Sequence, residues 1–93
     1  MKKSLEERQE EIENYIISNE LTLATKSIIN FVDDFSKNKN FRREALLYKS
    51  SVHALESERR QYGKSLDLDR QLKQLSSSLL EFIEIVAEDS KGK

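Results

Sequence analysis

Hydrophobic residues recur every three or four positions along most of the chain, and this spacing predicts four amphipathic helices. The predicted helices cover residues 5–18, 21–37, 41–62 and 66–88. No useful stretch alternates between hydrophobic and polar residues with a period of two, which is the pattern of a half-buried strand. The sequence therefore predicts an all-α fold.

Residues that commonly start or stop helices separate these segments. Ser4 and Glu7 have the spacing of a capping box at the start of the first helix. Asn19 suits either a left-handed C-cap of the first helix or the N-cap of the second. Gly63 suits the left-handed position that ends the third helix, and Ser65 is a good N-cap for the fourth.

The lengths of the segments predict how the helices are arranged. The third and fourth helices would each be about 33 Å long at 1.5 Å per residue, and the short turn between them forces an antiparallel hairpin. The two shorter helices, which a polar loop at 36–40 joins to the third, would cover one flank of it. We predict a single domain over residues 1–89, an antiparallel four-helix bundle with two shorter and two longer helices, and a disordered tail at 90–93.

The predicted core consists of the hydrophobic residues that share one face of each helix. They are Leu5, Ile12, Tyr15, Ile16, Leu21, Ala24, Ile28, Ile29, Phe31, Val32, Phe35, Phe41, Ala45, Tyr48, Val52, Leu55, Tyr62, Leu68, Leu72, Leu75, Leu79, Leu80, Phe82, Ile83 and Val86. The wide face of the second helix predicts that it packs against two neighbours. Arg59 interrupts the face of the third helix, so its charge either snorkels outward or is paired across the bundle.

Composition narrows the classes of function. The chain has 93 residues, of which 37% are hydrophobic and 35% charged, and it has no Cys. These values indicate one folded domain without disulfides or thiolate zinc sites. No hydrophobic run approaches the ~20 residues of a membrane span, and acidic residues follow the basic start where a signal peptide would be apolar. We expect a cytoplasmic protein.

Candidate catalytic residues are few. His53 is the only His, so no second His or Cys can complete a zinc or iron site with it, and we interpret it as a residue of the helix surface or boundary. The Gly-x-Ser-x-Gly motif is absent, and one internal glycine is too few for a phosphate-binding loop. Carboxylate pairs such as Glu6/Glu7 and Asp33/Asp34 fall on polar faces, where such side chains commonly serve solubility, whereas acid catalysis would need burial. We predict a protein without enzymatic activity, metal or cofactor.

Charge is unevenly distributed although the net charge is -1. Residues 2–20 contain three basic and six acidic side chains, whereas residues 37–64 contain eight basic and three acidic ones. In the favoured interpretation the acidic first helix lies near the basic third helix and offsets it. Docking to a protein comes next and nucleic-acid binding last, because base-reading side chains do not interleave with the basic ones. The candidate interaction residues are Glu6, Glu10, Glu13, Arg42, Arg43, Lys49, Arg59 and Arg60.

A pattern in the second half of the chain resembles a known family. It consists of Leu47, Ser50 or Ser51, Leu55-Glu56, Arg59-Arg60, Gly63, Ser65, Leu79-Leu80 and Phe82-Ile83. This pattern is similar to the helical hairpin of the effector-associated domain numbered eleven from bacterial conflict systems. The earlier residues also resemble that family's short first hairpin; they are Ile16-Ile17, Asn19, Leu21, Ala24 and Ile28-Ile29. Two features depart from the family: Asn19 stands where a Gly is usual, and Asp67, Asp69 and Arg70 only partly match the start of its last helix.

The resemblance implies a non-enzymatic adaptor without catalytic residues. Such domains join a sensor NTPase or a scaffold to an effector, such as a caspase-like or trypsin-like protease or a TIR protein, through like-with-like contacts. The implied partners are a protein with a similar helical domain and further copies of this chain. The uneven charge suggests how copies would meet, with the acidic first helix of one copy against the basic third helix of another. Two alternatives stay open: a structural bundle subunit or homodimerisation module, and, less favoured, a nucleic-acid-binding regulator.

Overall fold

The computed structural model describes residues 4–36, 38–63 and 66–91, and the backbone of these residues forms helices joined by short connections. Helix α1 covers Leu5–Ile17, α2 covers Leu21–Phe35, α3 covers Lys39–Tyr62 and α4 covers Leu66–Lys91. No strand occurs in these three ranges. The predicted all-α class is confirmed.

Local side-chain and backbone hydrogen bonds start and end α1. The Ser4 hydroxyl accepts a bond from the Glu7 backbone N–H at 3.2 Å and donates one to the Glu7 carboxylate at 3.3 Å. At the other end Asn19 has φ 64°, which confirms the left-handed C-cap. The Glu20 N–H then donates to the Tyr15 carbonyl at 2.8 Å, as in a Schellman motif. An asparagine therefore takes the left-handed position at the end of α1 that a glycine commonly fills.

The connection between α2 and α3 is shorter than the predicted loop at 36–40. The Asn38 side chain accepts a bond from the Asn40 N–H at 2.9 Å and so caps α3, which starts at Lys39. The Ser36 hydroxyl in turn accepts a bond from the Asn38 N–H at 3.2 Å. Lys37, at the end of the predicted second helix, lies outside the described residues. An asparagine N-cap thus adds two residues to α3.

Gly63 ends α3 with φ 76°, as its position predicts. Its N–H donates to the Arg59 carbonyl at 2.9 Å. Ser65, the predicted N-cap of α4, lies outside the described residues. At the C-terminal end α4 continues to Lys91, so the predicted tail at 90–93 begins too early, and the Ser90 hydroxyl donates to the Val86 carbonyl within the helix at 2.9 Å. Residues 92 and 93 are not described.

Side chains from all four helices form one hydrophobic core. Its buried members are Ile12, Ile16, Leu21, Ala24, Ile28, Phe31, Val32, Ala45, Val52, Leu72, Leu79, Phe82, Ile83, Val86 and Ala87. All of them except Ala87 belong to the predicted core. Thr25 is also buried, and its hydroxyl donates to the carbonyls of Leu21 and Thr22 at 3.1 Å each. A buried hydroxyl bonded in this way carries no unsatisfied donor.

The packing order of the helices decides which surfaces stay outside. Helix α2 contacts α1, α3 and α4, one neighbour more than predicted, and α4 also contacts α1 and α3. In contrast, α1 and α3 have no pair of Cα atoms within 8 Å of each other in the described ranges. Helices α1 and α3 are therefore separated by α2 and α4.

Candidate protein-interaction surfaces

The acidic residues of α1 form one surface, which we call the acidic face. Glu6, Glu10 and Glu13 are spaced by four and three positions, so they lie along one side of the helix, and Ile17 continues the row. Glu6 and Glu10 are exposed and Glu13 is half-buried. Ile17 is 74% exposed at the end of the row. The acidic face thus combines three carboxylates with one exposed hydrophobic side chain.

Four polar residues of α3 form a second surface, which we call the basic face. Arg42, Lys49, His53 and Arg60 are spaced by seven, four and seven positions, so they return to the same side of the helix at 3.6 residues per turn. All four are exposed. Leu46 lies on the same side and is 47% exposed. His53 is therefore a surface residue, as the sequence indicates. Half-buried Glu56, three positions later, lies on the same side of α3 and places one carboxylate among these cations.

The two remaining predicted residues lie apart from the basic face. Arg43 follows Arg42 directly, which turns its exposed side chain by about 100° around α3. Arg59 is half-buried at a core-facing position of the helix. No ion pair within 4 Å joins Arg59 to another described residue, so the snorkelling interpretation fits and pairing across the bundle does not. The eight predicted residues thus form two surfaces and two isolated positions.

The acidic face does not neutralise the basic face within the molecule. Because α1 and α3 do not contact each other, the interpretation that α1 offsets α3 is wrong. An ion pair with α2 compensates part of the basic face, since Asp33 pairs with Arg42 at an Nε–Oδ1 distance of 3.2 Å. Lys49 and Arg60 make no ion pair within the described part of the chain. Most of the basic face is therefore available to an external partner.

Arg8 fixes the orientation of α1 against α2. Its guanidinium pairs with Asp34 and lies 5.9 Å from the centroid of the Phe31 ring and 5.3 Å from that of Phe35. A guanidinium at this distance is attracted by the electron-rich ring faces. These contacts hold one side of α1 on α2, so the acidic face stays on the outside of the bundle.

A third surface, which the sequence did not predict, consists of three adjoining depressions along α3 and α4 that share lining residues and that no described residue of α1 or α2 lines. We call it the outer groove. The side chains that line it are Glu44, Leu47, Tyr48, Ser51, Ala54, Leu55, Gln71, Gln74, Leu75, Ser78, Glu81, Phe82 and Ile85. Leu47 and Ile85 are 61% and 50% exposed. Both are hydrophobic residues at helix positions that do not face the core. Their position off the core-facing stripe could have indicated this surface from the sequence alone.

The electrostatics of the outer groove are visible at Tyr48. Burial raises the pKa of the Tyr48 phenol, and the carboxylates of Glu44 and Glu81 raise it further. Glu44 belongs to α3 and Glu81 to α4, so the two walls of the groove each contribute one negative charge near the same phenol. The Tyr48 ring packs on Phe82 with a centroid distance of 5.2 Å. One end of the groove therefore carries two carboxylates next to the packed rings of Tyr48 and Phe82.

The described residues contain no group of three or more His, Cys, Asp or Glu side chains that could hold a metal ion. Within the same ranges no helix combines the length and the hydrophobicity that crossing a membrane requires. No protein-family model, no curated protein and no solved structure matches the chain. The resemblance to the effector-associated domain consequently stays a prediction.

Proposed function

We propose that the chain is a non-enzymatic adaptor domain that binds similar helical domains, including further copies of itself, through its acidic and basic faces. The observation that carries this proposal is the opposite charge of the two faces on helices that do not touch. In this proposal the domain acts in the cytoplasm. By the resemblance given above, it would recruit an effector there, such as a caspase-like or trypsin-like protease, in bacterial defence signalling.

We further infer that the helices form an antiparallel bundle. Arg8 near the start of α1 pairs with Asp34 near the end of α2, which supports opposite directions for these two helices. Phe41 near the start of α3 lies 6.0 Å from Phe82 in the second half of α4, which supports the same relation there. In this arrangement each face is a straight row along one helix, so a partner helix can lie along it.

The proposed contact joins two different surfaces, so it is heterologous. After two copies bind, one acidic face and one basic face are still vacant, and further copies can add until a ring closes or a filament grows. Ile17 and Leu46 supply hydrophobic side chains beside the charges of each face. Charge complementarity of this kind steers encounter and fixes the register of a contact more than it adds affinity.

Sedimentation velocity of single-face variants tests the proposal. One variant carries E6Q, E10Q and E13Q, and the other carries R42Q, K49Q and R60Q. Each variant alone should be monomeric at concentrations where the unmodified chain associates. A mixture of the two should form one-to-one dimers and nothing larger, because only one complementary pair of faces remains.

Controls separate this proposal from its alternatives. Arg43→Gln removes a cation of α3 from outside the basic face and should leave association unchanged. An unmodified chain that stays monomeric at high concentration and binds no sister domain contradicts the proposal. A dimer that persists in both triple variants indicates a hydrophobic homodimer instead. Binding to duplex DNA with a steep salt dependence would favour the nucleic-acid alternative.

A further inference from the structure

We propose that the outer groove binds an amphipathic helix of a partner protein that carries a Lys or Arg beside its hydrophobic stripe. This surface contains no residue of the acidic or basic face, so it is an additional docking site and does not depend on self-association. A protein without a similar helical domain would need such a separate surface to bind the adaptor.

The shape of the outer groove fits a helix. The α4 wall runs from Gln71 to Ile85, about 21 Å at 1.5 Å per residue, which matches roughly four turns of a bound helix. Ser51, Ala54 and Ser78 line its middle. Such small side chains let the backbone of a third helix approach closely. An extended peptide finds no partner here, because the backbone groups of both walls are engaged in helical hydrogen bonds.

The charge of the outer groove selects a cationic helix. Glu44 and Glu81 stand on opposite walls at one end, and no Lys or Arg is among the described residues that line the groove. The carboxylates of Glu44 and Glu81 can both accept bonds from one ammonium or guanidinium group placed between them.

Hydrophobic anchor positions flank the acidic end. Leu47 on α3 and Ile85 on α4 are large exposed hydrophobic residues of the groove. Half-buried Leu55 and Leu75 continue towards its other end. Two rows of this kind accept the hydrophobic side chains that a helix presents at every third or fourth position. A helix without such a stripe would leave Leu47 and Ile85 in water.

Two synthetic peptides probe the site directly. Both are helices of about 18 residues, long enough to form in water, with leucines at every third or fourth position and either two lysines or two glutamates beside the stripe at one end. Binding to the full chain is followed by amide chemical shifts and by calorimetry. The lysine peptide should bind about tenfold more tightly than the glutamate peptide, because only the former complements the two carboxylates. It should shift the signals of Leu47, Ser51, Ser78 and Ile85.

Variants of exposed groove residues locate the contact. E44Q/E81Q should remove the preference for the lysine peptide, and E44K/E81K should reverse it. L47S/I85S should abolish binding of both peptides while the helical signal stays unchanged, because both side chains are exposed in the free protein. E20Q/E84Q removes the same charge from exposed positions outside the groove and should bind like the unmodified chain.

Several results would overturn the proposal for the outer groove. Equal affinity for the two peptides would do so, as would undiminished binding to L47S/I85S. Loss of lysine-peptide binding in E6Q/E10Q/E13Q would assign the peptide to the acidic face of α1. Monomeric behaviour of L47S/I85S, where the unmodified chain associates, would make the groove a contact between copies. Self-association is measured separately, so this proposal and the proposed function can fail independently.

Discussion

Arg42 of α3 and Asp33 of α2 form an ion pair with an Nε–Oδ1 distance of 3.2 Å. The next residue of α2, Asp34, pairs with Arg8 of α1. Two consecutive carboxylates thus connect one end of α2 to α1 and to α3. The pair at Asp33 also neutralises part of the basic face, which links the stability of the bundle to its proposed contact.

Removing the Asp33 charge should separate its effect on the stability of the bundle from its effect on self-association. The side chains of Arg42 and Asp33 are 60% and 45% exposed, so D33N should change the free energy of unfolding by less than about 1 kcal/mol. The same substitution frees Arg42 and should strengthen self-association at low salt. Urea denaturation and sedimentation velocity measure the two quantities. E58Q, which removes an exposed charge from another side of α3, should leave association unchanged.

Two Leu→Ala substitutions should contrast the core with the outer groove. Leu79 is 0% exposed and Leu47 is 61% exposed, and both lie within helices. L79A leaves a cavity in the core and should lower the free energy of unfolding by about 2–5 kcal/mol. L47A should change it by no more than about 0.5 kcal/mol. Equal losses in urea denaturation would mean that Leu47 is buried in solution, for example between two copies.

Gly63 should be needed for its backbone conformation alone. Its φ is +76°, and a Cβ atom added there would meet no other atom within 4 Å. With φ +76° and ψ -164°, the residue lies in a backbone region that essentially only glycine adopts. G63A and G63N should therefore each cost about 1–3 kcal/mol of unfolding free energy in urea denaturation, through the backbone and not through a clash. A much smaller cost for G63N than for G63A would contradict this assignment, because Asn is tolerated in the αL region and not in this one.

Tyr48 should ionise above the ordinary phenol pKa of 10.0, because burial and the charges of Glu44 and Glu81 disfavour the phenolate. In the unfolded chain the pKa returns to its ordinary value. The folded state therefore keeps its full stability below pH 10.0 and loses this contribution as the pH rises through the higher pKa of the folded protein.

Absorbance at 295 nm measures this ionisation. The component lost in Y48F should titrate above pH 10.0, and E44Q should move it downward, since it removes one of the charges that raise the pKa. The unfolding free energy should fall more steeply above pH 10.0 in the unmodified chain than in Y48F. A Tyr48 phenol that titrates with its ordinary pKa of 10.0 would contradict the burial of this side chain in the groove.

Much of the fold follows from local properties of the sequence. The spacing of hydrophobic residues assigns the helices and their core-facing positions, because a side chain's place on a helix depends only on its own segment. Ser4, Asn19 and Gly63 mark the helix ends for the same reason. The start of α3 was predicted two residues late because Asn38, which caps that helix through Asn40, was included in the predicted loop.

The candidate surfaces likewise differ in whether local sequence or tertiary packing determines them. The sequence by itself determined the helices, the core residues and the row of Glu6, Glu10 and Glu13, since each depends on the period of a single helix. Only the tertiary structure decided that α1 and α3 are not neighbours and that the outer groove is left uncovered. The physical reason is that hydrophobic attraction has no direction: several packing orders can bury the same four hydrophobic faces, and only the folded arrangement shows which charged sides remain in water.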